Sequence, residues 1–362
     1  MENTTLKKIL DSVLSKKHKN WIFRDSSKID SINEIFNRIK RIVFNKQAVS
    51  KNTVIDVIKK LLESSEKDEL NIDYLFNYLD NRRLRHSLIC YLYGCYIYNN
   101  ISSVKKNVDE SIGYFWSNSN RSSCSKFLLS WMLICLFHDI GYSVEKEDNI
   151  KRLLPNDDFR IEDILFLENR NQLTNFLPQF PEKYIPKCYE NTIVKYDVYR
   201  KIRNLIIEDR TIFDHGIYGG ISLSESLKNH NFQHDNYMPQ QYYGYLSWVV
   251  IVHNIWFAYE EYCQFIYSNY GLKELCINNE DYKIKLDEAP FLWLLSIVDN
   301  LECTKRRISA KWLTHITINL LNKDKLIITI SPEISKKRYF NKYIKSLQDL
   351  NNWLTNTTVS LK

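Results

Sequence analysis

The spacing of apolar residues along the first 80 positions predicts helices. In "SINEIFNRIKRIVFN", residues 31–45, apolar side chains recur at intervals of three and four, which places them on one face of a helix. The segments "TVIDVIKKLL" (53–62) and "IDYLFNYLD" (72–80) show the same spacing over shorter lengths. We therefore expect residues 1–80 to form an N-terminal helical region.

Longer and more apolar segments follow, and they predict the core of the protein. We expect core helices at residues 84–98, 127–137, 216–228, 241–269 and 290–310. A polar stretch from residue 99 to residue 125 separates the first two. The apolar run 127–137 is about half of the roughly 20 residues that a membrane span needs, so it predicts a core helix.

The remaining patterns predict an irregular insertion and a small β structure. Four of the seven prolines lie at positions 155, 178, 181 and 186, which favours an irregular insertion at about 143–190. Alternation of apolar and polar residues in "THITINLLNKDKLIITISP" predicts a β-hairpin, followed by a helix at about 335–354. The predicted fold class is all-α, or mainly α, with regions at 1–80, 81–313 and 314–362.

Composition narrows the classes of protein to which the chain could belong. Eight glycines in 362 residues argue against an all-β fold rich in turns. Eight scattered cysteines without a Cys-x-x-Cys pair favour reduced thiols, and no signal-peptide pattern is visible, so we expect a cytoplasmic protein. The net charge of +7 arises from 50 basic and 43 acidic residues, which suits a phosphorylated ligand or a nucleic acid without selecting either.

The segment "LSWMLICLFHDIGY", residues 129–142, ends an apolar run on His138 and Asp139. Adjacent side chains on a regular helix point about 100° apart. With Gly141 as a left-handed cap, however, Asp139 could turn back and share a cation with His138. A buried carboxylate is costly unless a metal or a cation neutralises it. The alternative is that Asp139 caps the helix or forms an ion pair at the surface.

A second His-Asp pair provides a comparison. His234 and Asp235 lie in "NHNFQHDNYMPQ", which has no apolar run and predicts a loop. His230 and His234 have the spacing of metal ligands on one helix face, but the surrounding Asn, Gln and Pro residues disfavour a helix. The position of a His-Asp pair, rather than its presence, therefore indicates a metal site.

Four further residues of ligand type lie within or at the ends of apolar segments: His86, His215, His253 and Asp299. A buried, hydrogen-bonded core histidine is the ordinary explanation for each of the three histidines taken alone, and a carboxylate at a helix end explains Asp299. The complete set, in chain order with His138 and Asp139, is more easily explained by a shared metal site.

This ordered set resembles the H…HD…D signature of the HD-domain superfamily of metal-dependent phosphohydrolases. The matching residues are His86, His138, Asp139 and Asp299, and His215 and His253 are similar to the additional histidines of binuclear members. The resemblance covers about residues 82–310 and implies an HD-like helical bundle. It implies one ion on the first four residues and a second on the two added histidines, with Asp139 bridging. Without the two added histidines the site would hold one ion.

The resemblance also implies an activity. It would be hydrolysis of a nucleotide or another small phosphomonoester or phosphodiester by a metal-activated water, with His138 and Asp139 as catalytic residues. The residue types suit Mn, Fe, Co, Ni, Zn or Mg. Tyr142 occupies the position of a lysine in the family pattern "HDIGK". The motifs of the HD-GYP and mammalian-type cyclic-nucleotide phosphodiesterase groups do not occur, so the residues assign no subfamily.

Basic residues near the predicted ligands are candidates for substrate binding. Arg306 lies seven residues after Asp299 and would share its face on a continuous helix, with Lys305 beside it. Arg83 lies one turn before His86. A solvated basic helix end is the alternative for each of these residues.

Two other functions are compatible with the sequence. A non-hydrolytic nucleotide sensor could retain the site without turnover, and the departure at Tyr142 allows it. A nucleic-acid-binding or nuclease-like protein would suit the net charge and the 24 tyrosines, but no compact basic and aromatic motif supports it. We expect a small phosphorylated substrate, a nucleotide before others, and no membrane partner. The sequence indicates no oligomeric state.

Overall fold

A computed structural model describes most of the chain. The described residues are 4–15, 29–44, 49–65, 73–117, 121–143, 177–186, 189–190, 215–229, 238–253, 283–302, 310–321, 325–335 and 340–361. Within these ranges the protein is mainly helical with one small mixed sheet, which confirms the predicted fold class. The boundaries predicted for the three regions stay predictions.

The described elements follow one another in a simple order. The helices before the first long gap are α1 Leu6–Val13, α2 Ile29–Phe44, α3 Lys51–Ser65, α4 Asp73–Tyr78, α5 Asn81–Asn100, α6 Ser102–Phe115 and α7 Ser123–Phe137. The later helices are α8 His215–Asn229, α9 Gln240–Val252, α10 Pro290–Leu301, α11 Pro332–Ser335 and α12 Asn341–Trp353. The strands are β1 Thr4–Thr5, β2 Ile316–Leu321, β3 Lys325–Ile330 and β4 Thr357–Leu361.

Helices α5 and α7 form the centre of the helical core. The side chain of Asp80 caps α5 by accepting a hydrogen bond from the backbone of Arg83 at 2.8 Å. Every residue of α7 from Lys126 to Phe137 is buried. The segment Ser123–Tyr142 has the length and hydropathy of a membrane-spanning helix, but 89% of it is buried inside the protein, as in a core helix.

Glycines allow α8 to lie directly on its neighbours. A side chain at Gly219 would overlap the carbonyl oxygen of Phe137 at the end of α7. A side chain at Gly220 would meet the carbonyl oxygen of Ser247 in α9. The first half of α8 therefore packs closely against the end of α7 and against the middle of α9, which brings three chain segments together.

The sheet has the strand order β1-β2-β3-β4. The pair β2 and β3 is antiparallel with Ile316 opposite Ile330, which confirms the predicted hairpin. Strand β4 lies parallel to β3, and β1 lies antiparallel to β2. These two outer strands were not predicted, because they are short and pair with strands that are distant in the chain.

The structure adds one helix to the predicted set and shortens another. The polar stretch 99–125 contains helix α6, which was not predicted and whose buried residues Val104, Val108, Ile112 and Phe115 follow helical spacing. The helix predicted over 290–310 ends at Leu301, because Glu302 has an extended backbone with ψ of 106°. The helix that carries Asp299 therefore ends before residue 306. Arg306, Lys305, the pair His234-Asp235 and most of the predicted insertion lie outside the described residues.

Candidate metal centre

Three helices bring four of the predicted ligands to one point. His86 lies in α5, His138 and Asp139 directly follow α7, and Asp299 lies in the last turn of α10. The Nε2 atom of His86 is 3.1 Å from Nε2 of His138 and 3.0 Å from Oδ1 of Asp299. His86, His138 and Asp139 have no solvent exposure. The residues selected from the sequence therefore lie together, and their role as metal ligands stays a prediction.

The carboxylate distances are those of ligands around a common ion. Asp139 Oδ2 is 3.6 Å from His86 Nε2, and Asp139 Oδ1 is 3.5 Å from His138 Nε2. Asp299 Oδ1 is 3.6 Å from His138 Nε2. These three separations exceed hydrogen-bond length, whereas the 3.0 Å between His86 Nε2 and Asp299 Oδ1 is within it. Two ligand atoms that are each about 2.1 Å from a tetrahedral or octahedral metal lie about 3–3.5 Å apart, so the geometry suits a cation.

Hydrogen bonds at the opposite ring nitrogens fix the orientation of both imidazoles. His138 Nδ1 lies 2.9 Å from the carbonyl oxygen of Cys135, which can only accept, so Nδ1 carries the proton. His86 Nδ1 lies 2.8 Å from Glu302 Oε2 and donates to that carboxylate. The two Nε2 atoms face each other across 3.1 Å, and His86 Nε2 also lies 3.0 Å from Asp299 Oδ1. A cation at this point, either a metal ion or a proton on His86, would satisfy all three atoms.

Comparison with protein-family models, curated proteins and solved structures found no match to this chain. The chain is a mainly helical protein with buried histidine and aspartate groups that could bind metal. The statement that these groups could bind metal rests on the positions of the chain's own side chains.

A second group adjoins the first and shares Asp139 with it. Asp139, His215 and His253 each place one ligand atom within 4.8 Å of the others. His253 Nδ1 lies 2.7 Å from the carbonyl oxygen of Val250 and donates to it, which leaves Nε2 with its lone pair. Burial and the neighbouring His138 lower the pKa of His253 to about 4, so the ring is neutral near pH 7, as a ligand must be.

Tyr142 connects the second group to the surface. Its ring stacks on the imidazole of His215, with centroids 3.7 Å apart and planes 20° from parallel. The guanidinium of Arg83 lies over the same tyrosine ring, 4.7 Å from its centroid. Arg83, Tyr142 and His215 therefore form a stack that holds the His215 ring in place. All three residues were selected from the sequence, but the stacking of their side chains was not predicted.

Two buried residues at the centre were not selected from the sequence. Glu302 accepts the hydrogen bond from His86, and its side chain is 1% exposed. Cys90 forms a third group of possible ligands with His86 and Asp299. Burial raises the pKa of the Cys90 thiol to about 11, so it stays protonated near pH 7, and it donates weakly to the carbonyl oxygen of Val298. The available signal was spacing, since Cys90 lies four residues after His86 and Glu302 three after Asp299.

One cavity opens onto the centre. It has a volume of about 230 Å³ and is lined by Arg82, Arg83, His86 and Tyr142. Asp299 is the most exposed of the first four ligand candidates, at 24% for its side chain. The centre is thus closed on the side of α7 and reachable from the side that carries the two arginines.

The Glu302→Gln substitution is expected to weaken metal binding by about 10- to 100-fold, the usual effect of losing a partner that orients a ligating histidine. A neutral amide no longer favours the Nδ1–H form of His86 and so no longer directs a lone pair at the metal. Titration calorimetry with Mn²⁺ or Zn²⁺ on folded protein would measure the change. Glu110→Gln, at an exposed position on α6, is the matched control. An affinity equal to wild type in Glu302→Gln would contradict this role.

Proposed function

We propose that this protein is a metal-dependent phosphohydrolase of the HD type, acting on a nucleotide or another small phosphoester. The observation that supports this most is the convergence of His86, His138, Asp139 and Asp299, which stand in the H…HD…D order of that superfamily. The second group, with His215 and His253 around the same Asp139, supports a binuclear centre.

The residues present fit two divalent ions. Imidazole nitrogens with fixed tautomers and carboxylate oxygens are the donor set that such ions prefer. A pair of bound ions would supply an activated water and neutralise charge that develops on the phosphoryl oxygens. The chain's own contribution is to hold three imidazoles by their Nδ1 hydrogens, so that their lone pairs face inward, and to bury the shared carboxylate of Asp139.

The cavity beside the centre supports an anionic substrate. Arg82 and Arg83 place two positive charges on its wall, next to His86. A guanidinium is always ionised and matches the geometry of phosphate oxygens. A volume of about 230 Å³ is smaller than the roughly 300–1,000 Å³ of pockets that enclose drug-sized ligands. The cavity therefore suits a phosphoryl group with part of its leaving group rather than a whole nucleotide.

The test is a substrate screen on protein loaded with Mn²⁺, using nucleoside mono-, di- and triphosphates, cyclic nucleotides and p-nitrophenyl phosphoesters. We expect turnover of at least one class and loss of turnover in His86→Ala.

Arg82→Met is expected to raise KM by about 10-fold or more, because it removes a charge-assisted contact to phosphate. Arg41→Met, on the exposed face of α2, is the control. Binding of a nucleotide without turnover under any divalent metal would instead favour a silent sensor.

A further inference from the structure

A second cavity lies away from the metal centre. It has a volume of about 370 Å³ and is bounded by the end of α6, residues 177–182 and helices α8 and α9. Ser224 on its wall lies nine residues after His215, which corresponds to about 13 Å along α8. The cavity therefore belongs to neither group of predicted ligands.

The outer wall of this cavity is held in place by Trp248. Its indole Nε1 donates to the carbonyl oxygen of Pro178 at 2.9 Å. The ring of Phe180 meets the indole edge to face, with centroids 4.6 Å apart. A wall that is fixed in this way needs little ordering when a ligand binds, which favours affinity.

A buried hydroxyl on the wall lacks a hydrogen bond. Ser224 has no solvent exposure, lines the cavity, and its Oγ has no hydrogen-bond partner within the part of the chain that the structure describes. Ser226 on the same helix and Ser247 on α9 instead donate to the carbonyl oxygen four residues earlier. An unsatisfied buried hydroxyl costs about 1–3 kcal/mol, so a ligand with a polar edge at Ser224 would remove that cost.

The other lining residues combine aromatic rings with amides. Phe115 and Tyr243 contribute aromatic rings to the lining, and Gln179, Gln240 and Gln241 contribute side-chain amides that both donate and accept. Aromatic rings stack on nucleobases, and amides match the paired donors and acceptors on base edges.

The charged residues in the lining narrow the chemical class of the ligand further. The lining residues include Glu182 and Lys228, which have opposite signs, and Lys228 is already paired with Glu225 at 2.6 Å. The cavity therefore does not favour a phosphate. A volume of about 370 Å³ lies near the lower end of the range for small-molecule pockets. We propose that this cavity binds the base of a neutral nucleoside, with Ser224 and the glutamines contacting the base edge and the aromatic residues its face.

The experiment titrates adenosine, guanosine, cytidine and uridine into the full chain by calorimetry. Nucleosides lack the phosphate that the metal centre would need, so this test does not depend on the proposed hydrolase activity. We expect at least one nucleoside to bind, with the same affinity for His138→Ala as for wild type. Ser224→Leu, which fills the cavity, is expected to weaken binding at least 10-fold, and Ser224→Ala about five-fold, as for one lost hydrogen bond. Ser226→Ala is the matched control and should bind as wild type.

Three results would overturn the proposal. They are the absence of binding by all four nucleosides, loss of binding in His138→Ala, and wild-type affinity in folded Ser224→Ala and Ser224→Leu. Thermal unfolding establishes whether each variant is folded. If Ser224→Leu does not fold, Gln240→Ala at an exposed position takes its place, and weaker binding is again the supporting result.

Discussion

The Asp139→Asn substitution is expected to abolish binding at both groups of predicted ligands, because one carboxylate serves them both. An amide oxygen ligates more weakly than a carboxylate and carries no charge to offset that of the ions. We expect affinity for Mn²⁺ or Zn²⁺ to fall by more than about 100-fold, beyond the usual loss for a residue that only orients a ligand. Elemental analysis of purified protein and calorimetric titration would both measure this loss.

The same substitution should separate metal binding from stability. For wild type, free metal at 100 times its Kd is expected to add about 2.7 kcal/mol to the free energy of unfolding, whereas Asp139→Asn should show no such gain. Without metal, Asp139→Asn should unfold at the same temperature as wild type or higher, because it removes a carboxylate with no solvent exposure. Asp109→Asn, at a half-buried carboxylate on α6, is the control. Wild-type metal content in Asp139→Asn would exclude Asp139 as a ligand.

The Gly141→Ala substitution is expected to remove one of the two proposed metal ions. A β-carbon at residue 141 would overlap the backbone of His215, including its carbonyl oxygen, and backbone cannot move aside as a flexible side chain can. His215 must therefore shift away from Asp139, while His86 and Asp299 lie on other helices and keep their positions. We expect about one ion per chain instead of two, and a loss of about 1–3 kcal/mol in the free energy of unfolding, as for other overpacked sites. Elemental analysis and chemical denaturation would measure the two effects.

Gly113→Ala is the matched control for this change. A β-carbon at residue 113 would meet nothing within 4 Å, and the position lies within α6. Alanine there should stabilise the helix by about 0.5–1 kcal/mol and leave metal content unchanged. Two ions per chain in folded Gly141→Ala would show that His215 does not depend on close packing against Gly141.

The sequence predicted the central helices and the ligand candidates for the same reason. Nearly continuous apolar runs located α5 and α7 to within a few residues, because a helix that is buried on every side carries apolar residues around its whole circumference. His86, His138 and Asp299 stood out because polar groups inside such segments need an explanation. Their convergence followed from the packing of the apolar helices against one another.

Three features of the structure could not be predicted from the spacing of apolar residues. Gly141 was expected to adopt a left-handed cap, but it lies in a short 3₁₀ turn, and its small size matters because His215 approaches it. Helix α6 is polar on most of its surface, so its buried face was too narrow to recognise. The helix that carries Asp299 was predicted to continue to residue 310, but it ends at Leu301, before the position of Arg306.

The pairing of β1 with β2 has a consequence for the order of folding. Thr4 lies opposite Ile318, so nearly the whole chain separates the two strands that form this edge of the sheet. Closing so long a loop costs entropy before the contact is gained, and it cannot happen before residue 318 has been synthesised. The helical core that contains α5 and α7 can collapse earlier, while the ribosome still holds the later segments. We therefore expect the sheet to close last, pairing residues 4–5 with residues 317–318 after His86, His138 and Asp299 have come together.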